Sequence, residues 1–249
     1  MNAVFWMAAQ ALAAAPGVNV ERLDETSFLV SLPATPDLAV RDAQARIAPA
    51  ARLACQARRP VLGRYRYLAE EGKSSSFEQE LICLAPGHKL AIAAAADSGG
   101  ALEPSRADQQ AVLAASYGYF AAKDEGRFVA AHGLLTDRMR ARFPFAEWSK
   151  AAETFNAEAG RPRGRRVVEI TWYKDPEGAP EPGLYVAADF SADFEKAEFV
   201  CGYLMWQVQP DGGFRLVREE QNMAPRRASG RAIAQIDRDP LRARMGCKD

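Results

Sequence analysis

Few side chains in this sequence have the types and spacing that chemistry requires. There are two histidines, His88 and His132. An imidazole titrates near neutral pH, so either could act as a general acid or base. His88 falls in a stretch rich in Pro and Gly, where a solvated loop residue is expected. His132 lies among alanines and leucines on a helical stretch. It is a candidate pocket base, and a hydrogen-bonded structural imidazole is the plainer reading. Glu169, Asp189 and Tyr203 fall within strand-patterned segments. On the inner face of a curved sheet, burial would raise their pKa values and suit them to proton transfer. Alternation against Ile170 and Phe190 instead puts Glu169 and Asp189 on the outer face. Trp148, Trp172, Trp206 and Tyr203 have the size to line an apolar pocket or to fill a core. His132, Trp172, Asp189 and Tyr203 are thus the pocket candidates.

No known catalytic arrangement accompanies them. The chain has no G-x-S-x-G elbow, no P-loop and no G-x-G-x-x-G after a strand. No catalytic, cofactor-binding or metal-ligating residue is assigned, and no cofactor is expected. The four cysteines Cys55, Cys83, Cys201 and Cys247 form no C-x-x-C pair and have no neighbouring His. That argues against zinc and makes them disulfide candidates. Buried free thiols in a reducing compartment are the alternative.

Lys+Arg and Asp+Glu each number 32, giving a net charge near zero. A nucleic-acid partner is therefore not expected. Ala3 to Ala15 is almost entirely apolar and too short to span a bilayer. Ala11-Leu12-Ala13 forms an A-x-A cleavage site, and the run reads as a signal peptide over residues 1–15, although no Lys or Arg precedes it. A docked N-terminal helix is the other reading. No transmembrane segment is expected, and the location follows as periplasmic or secreted.

The elements that must carry these residues form an α+β chain. The first unit spans 18–84 in the order β-α-β-β. Phe28 to Leu32 is a strand. Thr35-Pro36-Asp37 starts a helix with Thr35 as its cap, and Pro49 should kink or split that helix. Val61 to Glu70 is a strand with Val61, Gly63, Tyr65 and Tyr67 on one face, and Phe77 to Leu84 returns. Residues 85–105 form a linker. The second unit spans 106–223, a curved antiparallel sheet preceded by helices. Ser105 caps the first helix, Asp124-Glu125-Gly126 ends it, and a helix starting at Pro144 runs to Gly160. Arg161 to Arg166 reads as a solvated basic loop. Strands follow at 166–174, 184–190, 198–208 and 214–220. Residues 224–249 form a basic, mobile tail. Of the three possible cysteine pairings, Cys55–Cys83 with Cys201–Cys247 keeps each bridge within one unit. Each bridge would contribute about 2–4 kcal/mol.

Across Tyr117 to Asn222 a set of landmarks recurs in order. They are Asp124-Glu125-Gly126-Arg127-Phe128, Phe145-Ala146-Glu147-Trp148, Gly160 with Arg165-Arg166, and Pro182-Gly183-Leu184-Tyr185-Val186. Asp189-Phe190 with Phe194 and a closing strand at Gly213 to Val217 complete the set. This order resembles the bacterial family known as domain of unknown function 4019. His132 stands where that family often has Trp, and Arg218-Glu219-Glu220 where it often ends in Gly-Tyr-Tyr. The resemblance implies export, and its helices-then-sheet order is similar to the cone of nuclear transport factor 2-like and cystatin-like folds. Together these readings give an exported, non-enzymatic binding or interaction module for a protein partner or a small apolar ligand. A cone-fold binder or enzyme with its pocket in the second unit is the alternative.

Overall fold

The computed structural model describes residues 17–35, 37–68, 75–85, 102–226 and 233–248. Residues 1–16, which cover the expected signal peptide, His88 and most of the expected linker lie outside the described residues. The fold is α+β. Eight strands form one open antiparallel sheet in the order β1-β2-β4-β3-β5-β6-β7-β8. They are β1 (Asn19–Arg22), β2 (Ser27–Pro33), β3 (Arg59–Leu68), β4 (Ser76–Leu84), β5 (Pro162–Lys174), β6 (Leu184–Phe194), β7 (Ala197–Val208) and β8 (Phe214–Pro225). Six helices are described: α1 (Val40–Cys55), α2 (Arg106–Asp124), α3 (Phe128–His132), α4 (Asp137–Arg142), α5 (Phe145–Ala159) and α6 (Gln235–Arg244).

The first four strands carry α1 on one face. Ala43, Ile47, Ala50 and Cys55 of α1 are buried against Val30, Phe77 and Leu81. Cys55 and Cys83 are bonded, joining the end of α1 to β4 with Cα atoms 5.2 Å apart. The helix begins at Val40, not at Pro36. Thr35, Asp37 and Leu38 make a turn instead, in which the Leu38 amide donates to the Thr35 carbonyl. Pro49 lies inside α1 without splitting it.

A bulge between Leu62 and Tyr65 corrects the facing of β3. Two residues there oppose one on β4, and the extra residue reverses the alternation on either side. Tyr65 and Tyr67 join the α1 core. Val61 turns to the other side and packs with Ile82 and Leu84 against Leu113 and Ala114 of α2.

The last four strands carry α2 and the shorter helices. Ser105 caps α2, and Ser105 and Asp108 exchange hydrogen bonds as a capping box. This pairing satisfies two otherwise orphaned amides. Phe120 packs edge-on against Phe190 at 4.8 Å, and Tyr119 against Trp206 at 6.0 Å. The α5 helix stops at Gly160, whose φ of 76° is a left-handed conformation that suits glycine. Arg161 to Arg166 is not a loop: β5 already begins at Pro162. In the basic tail, residues 235–244 form α6. It is tied to β7 by Cys201–Cys247, with Cα atoms 5.5 Å apart, and to β8 by Asn222, whose side-chain amide donates to the Met245 carbonyl. No described helix is long and apolar enough to cross a membrane.

The two halves of the sheet meet narrowly. β3 pairs with β5 only at Tyr65↔Arg165 and Arg66↔Gly164. Beyond this point α2 packs against β3, β4, β5 and β6 at once. A gap opens between α1 and α2 beside this junction.

Candidate functional site

That gap is a cleft of ≈ 530 Å³, within the range typical of small-molecule sites. Its walls come from four separated segments: the start of α1, the first part of β3, the open side of α2 and the start of β5. Apolar surface comes from Leu38, Val40, Leu62, Tyr65, Tyr117 and Phe120. Tyr117 is fixed where it stands, since its hydroxyl accepts from the Val167 amide at 3.0 Å. Tyr67 donates to the Leu38 carbonyl at 2.7 Å, pinning the entry to α1.

Gly118 lines the cleft from the middle of α2. A glycine inside a helix costs about 1 kcal/mol relative to alanine. A Cβ added at Gly118 would meet no atom within 4 Å, so close packing does not require the glycine.

A buried ion pair forms the inner end. Arg165 Nη2 donates to both Asp124 carboxylate oxygens at 2.9 and 3.1 Å. The two side chains are 3% and 11% exposed. The guanidinium stacks 4.2 Å from the Phe120 ring centroid. Burial pushes the Asp124 carboxyl above its usual range, and the adjacent guanidinium opposes that rise. Arg165 Nε and Nη1 and the Tyr65 hydroxyl are buried without a partner at full hydrogen-bond geometry among the described residues, and the guanidinium and the hydroxyl interact with each other. Burial pushes the Tyr65 hydroxyl far up, so it stays protonated. Orphaned polar atoms of this kind are rare in native interiors, and each needs a physical explanation.

At the mouth, Arg161 donates to the Asp37 carbonyl and to Glu195 at 3.2 Å each. Arg163 reaches the same carboxylate at 3.3 Å. These contacts strap the start of β5 to the approach to α1.

None of the four sequence-derived pocket candidates lines this cleft. His132 is half-buried beside α5, where its Nε2 lies 3.0 Å from the Phe143 carbonyl and its ring packs on Phe145 and Trp148. Trp172 belongs to the core beneath α2, opposite Val186. Asp189 and Tyr203 are brought together as cross-strand neighbours. Lys248 lies over them, bonded to Asp189 at 2.9 Å and to Glu169 at 2.8 Å. Asp189 and Val186 are an odd number of residues apart on β6, so Asp189 and Trp172 lie on opposite faces of the sheet. The residues that sequence reading passed over are Tyr65, Gly118, Asp124 and Arg165. Gly118 carried a usable signal, as a glycine within an otherwise well-formed helix.

Residues 115–218 match the profile of a family described as "Protein of unknown function (DUF4019)". The match is what this segment is similar to, and it covers less than half of the chain. It begins inside α2 and ends inside β8, so the α1 and β3 walls of the cleft lie outside it. No curated protein and no solved structure matches the chain.

Proposed function

We propose that this protein is an exported, non-enzymatic binding module that holds a small organic molecule in the cleft between α1 and α2. The observation that carries the reading is the cleft itself: ligand-sized, walled by fixed aromatic side chains and bordered by Gly118, where an added side chain would meet no neighbour. Two disulfides support export, since such bonds persist in oxidising compartments.

A ligand-observed NMR screen with a fragment set tests the site. Hits are expected on the wild type and are expected to vanish in Gly118→Leu, whose side chain projects into the cleft. The same hits on both proteins would overturn the reading. For export, the intact mass of the native protein, thiols blocked at lysis, is expected to show a chain starting near Ala14 and no alkylated cysteine. A chain starting at Met1 with four alkylated cysteines would overturn it.

A further inference from the structure

We infer that the ligand of this cleft is an organic anion, an apolar or aromatic body carrying a carboxylate, phosphate or similar oxyanion head. The inference rests on the cleft being the binding site and adds the charge of what it takes.

The lining contains six arginines, Arg41, Arg59, Arg127, Arg161, Arg163 and Arg165, against two carboxylates, Asp124 and Glu125. The surplus is local, because Lys+Arg and Asp+Glu balance at 32 each over the whole chain. Both cleft carboxylates are already engaged: Asp124 by Arg165, and Glu125 by Arg127 at 2.5 Å. Arg161 and Arg163 share Glu195. Arg41 and Arg59 form no ion pair among the described residues, and both are exposed at the cleft.

A concave site with one sign of charge and low-dielectric walls concentrates its potential inside. A neutral apolar molecule gains nothing from that potential, whereas an anion does. Guanidinium groups present paired N–H donors that match the spacing of oxyanion oxygens. The aromatic walls bury the body of the same molecule. The uncommitted guanidinium groups at the mouth and the apolar surface further in select an amphipathic anion rather than free phosphate, which would leave the walls unfilled.

The test uses two dyes that share a ring system, anionic 8-anilino-1-naphthalenesulfonate and uncharged N-phenyl-1-naphthylamine, titrated by fluorescence. The anion is expected to bind about tenfold more tightly than the neutral dye, and less tightly as salt is raised. Arg41→Gln with Arg59→Gln should remove most of that advantage and leave the neutral dye unaffected. Gly118→Leu should abolish binding of both dyes, with thermal unfolding and near-ultraviolet circular dichroism confirming its fold. Equal affinity for the two dyes, or an advantage that survives the arginine double variant, would overturn the inference and leave the cleft a binding site. Dye binding that persists in Gly118→Leu, or no dye binding at all, would overturn both readings.

Discussion

Lys123 and Asp124 leave the same end of α2 and enter two networks on its two sides. On the β8 side, Lys123 Nζ reaches Glu219 at 2.6 Å and Gln221 at 3.2 Å. The Tyr119 hydroxyl donates to the other Glu219 oxygen at 2.6 Å. Every charged group there has partners, and the site is closed. On the β5 side, Arg165 commits only Nη2 to Asp124, and its other donors and the Tyr65 hydroxyl meet each other beside the cleft without a full hydrogen bond to any described residue. Adjacent residues of one helix thus build a finished network and an unfinished one. A satisfied buried network fixes a core, while an incompletely satisfied one leaves polar groups whose burial is costly.

The largest expected effect tests the closed side. Glu219→Ala strips Tyr119 of its acceptor and Lys123 of its counter-charge, leaving Lys123 only Gln221, while both stay buried. Removing one partner of a buried pair costs about 3–5 kcal/mol. Urea unfolding should show this loss with no change in ligand affinity, because Glu219 is not part of the cleft lining. A loss under 1 kcal/mol would mean that the closed network relaxes as easily as a surface pair.

Replacing both partners by apolar groups should separate the two sides. Arg165→Met with Asp124→Leu removes orphaned donors along with the charge. Such swaps are often neutral or stabilising by about 1–4 kcal/mol. Lys123→Met with Glu219→Leu leaves the Tyr119 hydroxyl and Gln221 without partners, at a cost of about 1–3 kcal/mol. The open-side variant should gain stability and lose affinity, and the closed-side variant should lose stability and keep its affinity. Equal stability losses from both would erase the distinction.

The strands around the closed network were more legible in the sequence than either network. Leu184, Val186, Ala188 and Phe190 recur at a period of two along β6, and the long apolar run of β7 marks a strand buried on both faces. Ser105 and Pro144 marked helix starts through chemistry local to the chain. Arg165 was illegible for the opposite reason. An arginine among Pro162, Gly164 and Arg166 has the composition of a solvated loop, and only Asp124, 41 residues away, makes its burial tolerable. The bulge in β3 was hidden as well, because Val61, Gly63, Tyr65 and Tyr67 alternate as if the register were unbroken. The cleft draws on four distant segments, so no local pattern could announce it. The pocket candidates read from the second unit were chosen by residue type, and type alone did not place them on a common face.

Gly118 gives a smaller and opposite effect. It faces the open side from α2, and alanine there adds helix propensity without meeting any neighbour. Gly118→Ala should raise stability by about 1 kcal/mol and lower affinity modestly by occupying cleft volume. A gain in stability together with unchanged affinity would show that the ligand sits away from this wall.

The smallest effect is expected at the far end of α2, where a third network is complete but exposed. Asp24 accepts from the Thr26 amide at 2.8 Å, the Ser27 amide at 3.0 Å and the Ser27 hydroxyl, and pairs with Arg106. The Ser27 hydroxyl above all, with the Thr26 amide and Arg106, holds its carboxyl far below the usual range. A folded pKa below the unfolded value of about 3.9 contributes stability above that pH and loses it as pH falls through the folded value. The Arg106 side chain is 62% exposed, so solvent screening keeps the pair weak. Asp24→Asn should cost about 0.5 kcal/mol at neutral pH. Unfolding at neutral pH and near pH 2 should show a shallower acid loss in Asp24→Asn than in the wild type. A loss at neutral pH as large as that of Glu219→Ala would mean that satisfaction alone, without burial, sets the worth of these networks, and the contrast between the two sides of α2 would need another cause.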